Sequence, residues 1–178
     1  MRVSENCILN MKNKSHQVTA NVVVPEGGAS GVIVTQGGQV GGWSLYVHDG
    51  KLKYCYNFFG IQYFITAADT PLPAGKHQVR MEFAYDGGGL AKGGTVTLYY
   101  DGNAVGTGRV DITIPMGFSA DEACDVGSDT GSPASPDYGP SGNRFTGTID
   151  WVQLDIGDDS HDHLITPEER ITLAMGKQ

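Results

Sequence analysis

The chain has little that would let it act on nucleic acid, on a membrane or in redox chemistry. Its 12 Lys and Arg are dispersed among 20 Asp and Glu, for a formal charge of -8 over 178 residues. Without clustered cations to neutralise phosphates, this balance argues against a nucleic-acid partner. No apolar run approaches the ~20 residues of a membrane span, and residues 1–16, which include Arg2, Glu5, Lys12 and Lys14, have no signal-peptide core. The three cysteines, Cys7, Cys55 and Cys124, are odd in number and widely spaced. They make no disulfide framework and no C-x-x-C or Cys/His metal spacing, so they read as structural, with a single bridge between Cys55 and Cys124 left open.

Catalytic strings are missing as well. A glucanase of the two-sheet type needs paired acids on one strand, E-x-D-x-x-E, to flank a glycosidic bond, and no such string occurs. Glu82 is the one strand carboxylate on a polar face, and with Arg80 beside it reads as an ion pair rather than a general acid. There is no G-x-S-x-G, and the five histidines have no recognisable nucleophile partner.

What the chain does have is strand and turn chemistry. Residues 43–59 alternate twice around Asp49-Gly50: Trp43, Leu45 and Val47 point one way, Ser44, Tyr46 and His48 the other, and after the turn Leu52, Tyr54, Tyr56 and Phe58 oppose Lys51, Lys53, Cys55 and Asn57. Further strands are expected over 17–24, 31–36, 61–67, 77–85, 95–101, 104–111 and 145–156, each bounded by Gly, Pro or Asp. The 26 glycines suit many tight turns. These patterns predict an all-β fold, a two-sheet antiparallel sandwich formed by residues 1–157, with Trp43, Leu45, Leu52, Tyr54, Tyr56, Val79, Met81, Phe83, Val96, Leu98 and Val110 inward and Ile149 and Trp151 sharing a face.

Two loops and a terminal segment remain. Residues 120–144 are long and rich in oxygen ligands; Asp125, Asp129 and Asp137, with Asp121 and Glu122 nearby, are candidates for calcium, against the plainer reading of a surface loop. Asn13-Lys14-Ser15 is a glycosylation sequon. Residues 158–178 read as a linker followed by a short helix: Thr166 as N-cap, Pro167 at the first position, Glu169 completing a capping box, then an apolar side from Ile171, Leu173, Ala174 and Met175. So short a helix must dock on the sandwich, on another domain or on a second copy, which leaves a homo-oligomer open.

The hairpin at 43–59, P-L-P-A-G-K-H-Q-V at 71–79, V-T-L-Y-Y-D-G-N-A-V-G at 96–106 and F-T-G-T-I-D-W-V at 145–152 resemble successive strands of the concanavalin A-like, laminin-G-like jelly roll. More narrowly, D-V-G-S-D-T-G-S-P-A-S-P-D-Y at 125–138, then F-T-G-T-I-D and T-P-E-E-R-I-T-L-A-M-G-K-Q at 166–178, look like the C-terminal region of bacterial arylsulfatases. The C/S-x-P-x-R motif of the sulfatase nucleophile is missing, as is the catalytic α/β domain. The resemblance therefore implies a non-catalytic accessory domain, excised or stand-alone, of a soluble bacterial protein, cytoplasmic, periplasmic or secreted. Its implied partner is a sulfatase catalytic domain, and Asp150 is implied to hold a structural hydrogen bond at the turn into the last strand. The alternative is a carbohydrate-binding module using the polar sheet face, where Tyr46, His48, Lys53, Asn57, Arg80, Glu82 and Tyr99 are expected to cluster.

Overall fold

The computed structural model describes residues 2–4, 10–118 and 123–157. Eleven strands follow in order: β1 (Arg2–Ser4), β2 (His16–Val24), β3 (Gly31–Gly38), β4 (Gly41–His48), β5 (Lys51–Phe58), β6 (Gln62–Ala67), β7 (Gly75–Tyr85), β8 (Gly94–Tyr100), β9 (Asn103–Val110), β10 (Ala123–Val126) and β11 (Thr148–Ile156). They form two antiparallel sheets, β1-β10-β3-β4-β5-β6 (sheet A) and β11-β2-β7-β8-β9 (sheet B). No described helix is long and apolar enough to cross a membrane. The expected linker and helix at 158–178, Cys7, and the acids Asp121 and Glu122 lie outside the described residues.

The strands form where side-chain alternation and turn residues agree. Asp49 and Gly50 both take positive φ, 53° and 71°, as a two-residue hairpin turn requires, and Asp101 and Gly102 repeat this at 50° and 83° between β8 and β9. The core lies between the sheets. Trp43, Leu45, Leu52 and Tyr54 from sheet A meet Val79, Met81, Val96 and Leu98 from sheet B, all fully buried, and Tyr56, Phe83 and Val110 join them as alternation predicts. One polar pair is enclosed with them: the Trp43 indole N–H donates to Gln36 Oε1 at 3.1 Å, which gives a buried amide oxygen its partner.

Glycine closes one edge of the sandwich. A Cβ on Gly108 of β9 would collide with Thr66 Oγ1 of β6, so only a residue without a side chain lets the two sheets approach there.

Four sequence expectations are corrected. Strand β10 falls inside the segment expected to be loop; it is only four residues long and pairs with β3 through Cys124↔Gln36, Asp125↔Thr35 and Val126↔Val34. Ile149 and Trp151 do not share a face. The β11–β2 register shifts between them, Ile149 pairing with Val22 and Trp151 with Asn21, so Asp150 is an inserted bulge residue. Ile149, Val152 and Leu154 pack on the core, whereas Trp151 is exposed. Cys55 and Cys124 are both free and buried, because Cys124 faces the core while Cys55 faces the opposite side of sheet A. The sequon asparagine is no glycan acceptor in the fold, since Asn13 is buried and its amide donates to the Pro115 carbonyl at 2.9 Å.

Candidate ligand-binding face

A sandwich offers two outer faces, and this chain covers one of them with its own loop. Residues 127–144 lie across β3, β4 and β5 of sheet A. Tyr46 is completely buried beneath them; its hydroxyl donates to Asp137 Oδ2 at 2.8 Å and accepts from Ser135 Oγ at 3.0 Å, while its ring meets Tyr138 edge-on at 5.3 Å. Lys53 Nζ reaches the same Asp137 oxygen at 2.9 Å, and Cys55 Sγ lies 3.7 Å from the Ala134 carbonyl. Val32, Tyr46 and Cys55, with Tyr63 and Tyr138 packed against them, make a second small apolar cluster. Burial pushes the Cys55 thiol up to about 12, which leaves it unreactive. Gly31 allows this close approach: at φ +102° its position has room for no Cβ, which would collide with the Arg144 carbonyl.

The carboxylates expected to bind calcium hold this loop together and do not converge on a metal. Asp125 Oδ2 accepts from the Thr130 backbone N–H at 3.0 Å. Asp129 accepts from Ala134 N at 3.1 Å and the Tyr138 hydroxyl at 3.0 Å, and burial outweighs these bonds and raises its carboxyl above the usual range. Burial also acts to raise Asp137, but the hydrogen bonds from Lys53 and Tyr46 prevail and leave it below the ordinary value. Among the described residues no group of three or more His, Cys, Asp or Glu is arranged to hold a metal ion.

The seven residues expected to form one polar cluster are divided between opposite faces. Tyr46, His48, Lys53 and Asn57 belong to sheet A; Arg80, Glu82 and Tyr99 belong to sheet B. Asn57 is buried and works as a brace. Its Nδ2 donates to the carbonyls of Gly38 at 2.7 Å and Gln39 at 3.1 Å, and its Oδ1 accepts from Gly60 N at 2.7 Å, which ties two turns together. His48 sits half-exposed beside Asp49 at 3.4 Å.

The outer face of sheet B is uncovered among the described residues, and its register sorts the side chains into rows. One row runs Trp151, Asn21, Gln78; the next runs Gln153, Thr19, Arg80, Tyr99; the third runs Asp155, Gln17, Glu82, Thr97, Thr107. Side chains directly opposite on neighbouring strands are near enough to act together. Arg80 lies over the Tyr99 ring, 4.2 Å from its centroid, and meets Glu82 at 3.2 Å; the Tyr99 hydroxyl donates to the other Glu82 oxygen at 2.7 Å. That hydrogen bond, with burial, raises the Tyr99 phenol. Asp155 accepts Nε2 of Gln17 at 3.0 Å and Nε2 of Gln153 at 2.9 Å, which lowers its carboxyl and fixes both amides. A depression of about 340 Å³ opens at the end of the third row, beside Gln17, Glu82, Ala84, Asp155 and Ile156.

Trp151 occupies this face only because of the Asp150 bulge. Regular alternation from Ile149 would turn the indole into the core; the inserted residue re-aims it outward, where it is 40% exposed. Sequence reasoning missed Trp151 for that reason. It also passed over Gln17, Thr19 and Asn21, although their alternation with Val18, Ala20 and Val22 marks them as outward-facing.

No protein-family model matches the sequence, and no curated protein matches it. Solved structures do. Domains LG4-5 of the mouse laminin α1 chain align at TM-score 0.55 and 14% identity, over 90% of this chain and 40% of that one. The CBM40 of Ruminococcus gnavus IT-sialidase, solved bound to α2,3 sialyllactose, aligns at 0.52 and 13%, over 84% of this chain and 80% of that one. Botulinum neurotoxin type C, whose cell entry depends on two ganglioside molecules, aligns at 0.54 and 13%, over 98% of this chain and 39% of that one. Likeness at these identities establishes the fold alone: the protein has the jelly-roll sandwich fold of these laminin-G-like domains.

Proposed function

We propose that this chain is a non-catalytic carbohydrate-binding module whose binding surface is the outer face of sheet B. The observation that carries the reading is the outward indole of Trp151, turned by a bulge into a row with Asn21 and Gln78 and next to Gln153. A pyranose presents a flat C–H face and a rim of hydroxyls; an aromatic plate flanked by amides, each with donors and an acceptor, is complementary to both. Within this reading Arg80, Glu82 and Tyr99 form a rigid polar block at the centre of the face, and Asp155 presets the amides of Gln17 and Gln153. The sialyllactose-bound sialidase module and the ganglioside-dependent neurotoxin lend support, as proteins of the same fold that take glycans.

The reading as an accessory domain beside a sulfatase catalytic domain rests on the sequence resemblance alone. Its Asp/Pro loop, a natural candidate for meeting a second domain, is instead packed on sheet A through Tyr46, Lys53 and Cys55. That observation favours the carbohydrate reading.

The test is a glycan array probed with the full chain and with Trp151→Ala. The expected result is binding by the parent and at least a tenfold weakening in the variant, about 1.4 kcal/mol. A parent that binds no glycan, or a variant that binds as well as the parent, refutes the proposal.

A further inference from the structure

The charge arrangement on the outer face of sheet B narrows the ligand class. Three described cations stand on that face, and each is matched by a carboxylate: Lys76 with Asp150 at 2.9 Å, Arg80 with Glu82 at 3.2 Å, and Arg109 with Asp86 in a two-pronged contact. The Arg80 guanidinium is further occupied by the Tyr99 ring beneath it. A fourth carboxylate, Asp155, is held by two amides and by no cation. Asp111 adds a fifth, 3.8 Å from Arg109, so the face presents three positive and five negative groups, on a chain whose net charge is already -8. A sulfate or carboxylate arriving there would meet no described cation without a partner, and would have to break an ion pair and approach carboxylates at close range. An uncharged sugar meets amides, hydroxyls and an indole.

Resting on the carbohydrate reading above, we infer that the site selects neutral oligosaccharides and rejects sialylated and sulfated ones. The extent of the face agrees with an oligomer: from β11 to β8 is three strand spacings, about 14 Å, room for several pyranose rings laid across the rows from Trp151 to Tyr99. Binding is therefore expected to be independent of salt, since no ion pair forms between ligand and protein.

Isothermal titration of the full chain at 50 and 500 mM NaCl, with EDTA present, tests this. The probes are cello-, xylo-, laminari- and manno-oligosaccharides on one side, and 3′-sialyllactose, oligogalacturonate and chondroitin sulfate on the other. Trp151 fluorescence gives a second readout, because the only other tryptophan, Trp43, is completely buried. The expected result is that at least one neutral probe binds, with a Kd that changes less than twofold between the two salts, and shifts the emission, while no acidic probe binds. Asp150→Asn, which releases Lys76 beside Trp151, is expected to gain salt-sensitive binding of chondroitin sulfate. If acidic probes bind the parent and neutral ones do not, the neutral assignment falls and the carbohydrate module stands. If no probe of either kind binds, the carbohydrate reading itself falls, and this inference with it.

Discussion

His16 makes the fold acid-sensitive over a window that can be stated in advance. Its ring is buried against Phe83, with centroids 5.1 Å apart, and its Nδ1 lies 3.2 Å from the Lys14 carbonyl. A carbonyl can only accept, so Nδ1 carries the proton and Nε2 is left as a buried acceptor with no partner among the described residues. Protonation would place a charge there, and burial, opposed only by the Lys14 bond, lowers the ring from 6.5 to about 4. The unfolded chain takes up this proton below pH 6.5 and the folded chain does not until about pH 4, so acid favours unfolding between the two. The contribution is fully present above pH 6.5; about 2 kcal/mol of it is lost by pH 5 and about 3 kcal/mol by pH 4, because each tenfold difference in proton affinity between the folded and unfolded chain is worth about 1.36 kcal/mol. Urea unfolding of the parent and of His16→Gln at half-unit steps from pH 7.5 to 4 measures it. Gln keeps a donor for the Lys14 carbonyl and does not titrate. The Asp86, Asp101, Asp137 and Asp155 carboxyls, all lowered, and His77, raised by Asp101, behave alike in both proteins and cancel in the difference. The two stability curves should converge by about 3 kcal/mol as the pH falls. Parallel curves would refute the argument.

Other outcomes follow from buried polar pairs. Trp43→Phe keeps most of the ring volume but strands Gln36 Oε1 in the core, and is expected to cost about 1–3 kcal/mol in urea unfolding. Asp137→Asn weakens the acceptor shared by Tyr46 and Lys53, so the loop at 127–144 should open more often. Its readout is the rate at which Cys55 reacts with a thiol reagent, expected to rise several-fold under native conditions; an unchanged rate would show that the loop is anchored elsewhere. Asp150→Ala removes only an exposed ion pair with Lys76, and is expected to change the melting temperature little, since such pairs contribute about 0–1 kcal/mol.

The parts of the fold that could be read from the sequence are those encoded locally. The two-residue turn at Asp49-Gly50 and the strict alternation from Trp43 to Phe58 fix a hairpin and its inward face, and Val79, Met81, Phe83, Val96 and Leu98 follow by the same period of two. The partition between sheets could not be read, because the pairing of β2 with β7 and β11 joins residues far apart in sequence. Arg80 and Tyr46 look alike as polar-face residues, yet they stand on opposite sides of the molecule. Nor could the burial of Tyr46 be foreseen, since it depends on where a Gly- and Pro-rich loop comes to rest. Trp151 was hidden by one inserted residue: a bulge reverses inside and outside for everything beyond it, and Asp150 carries no pattern that announces one.

The loop packed on sheet A has a consequence for assembly. On the carbohydrate reading proposed above, a sandwich that closes one side with its own chain is a tile with a single binding surface, so each copy would engage one stretch of polysaccharide. Firm attachment to an insoluble or repetitive glycan then depends on valency: several copies on one scaffold, where the first contact raises the effective concentration of the next, set by the length and stiffness of the tether between them. The geometry also sets the approach, because the covered side must face away from the surface and any tethered cargo must lie beside the tile or behind it.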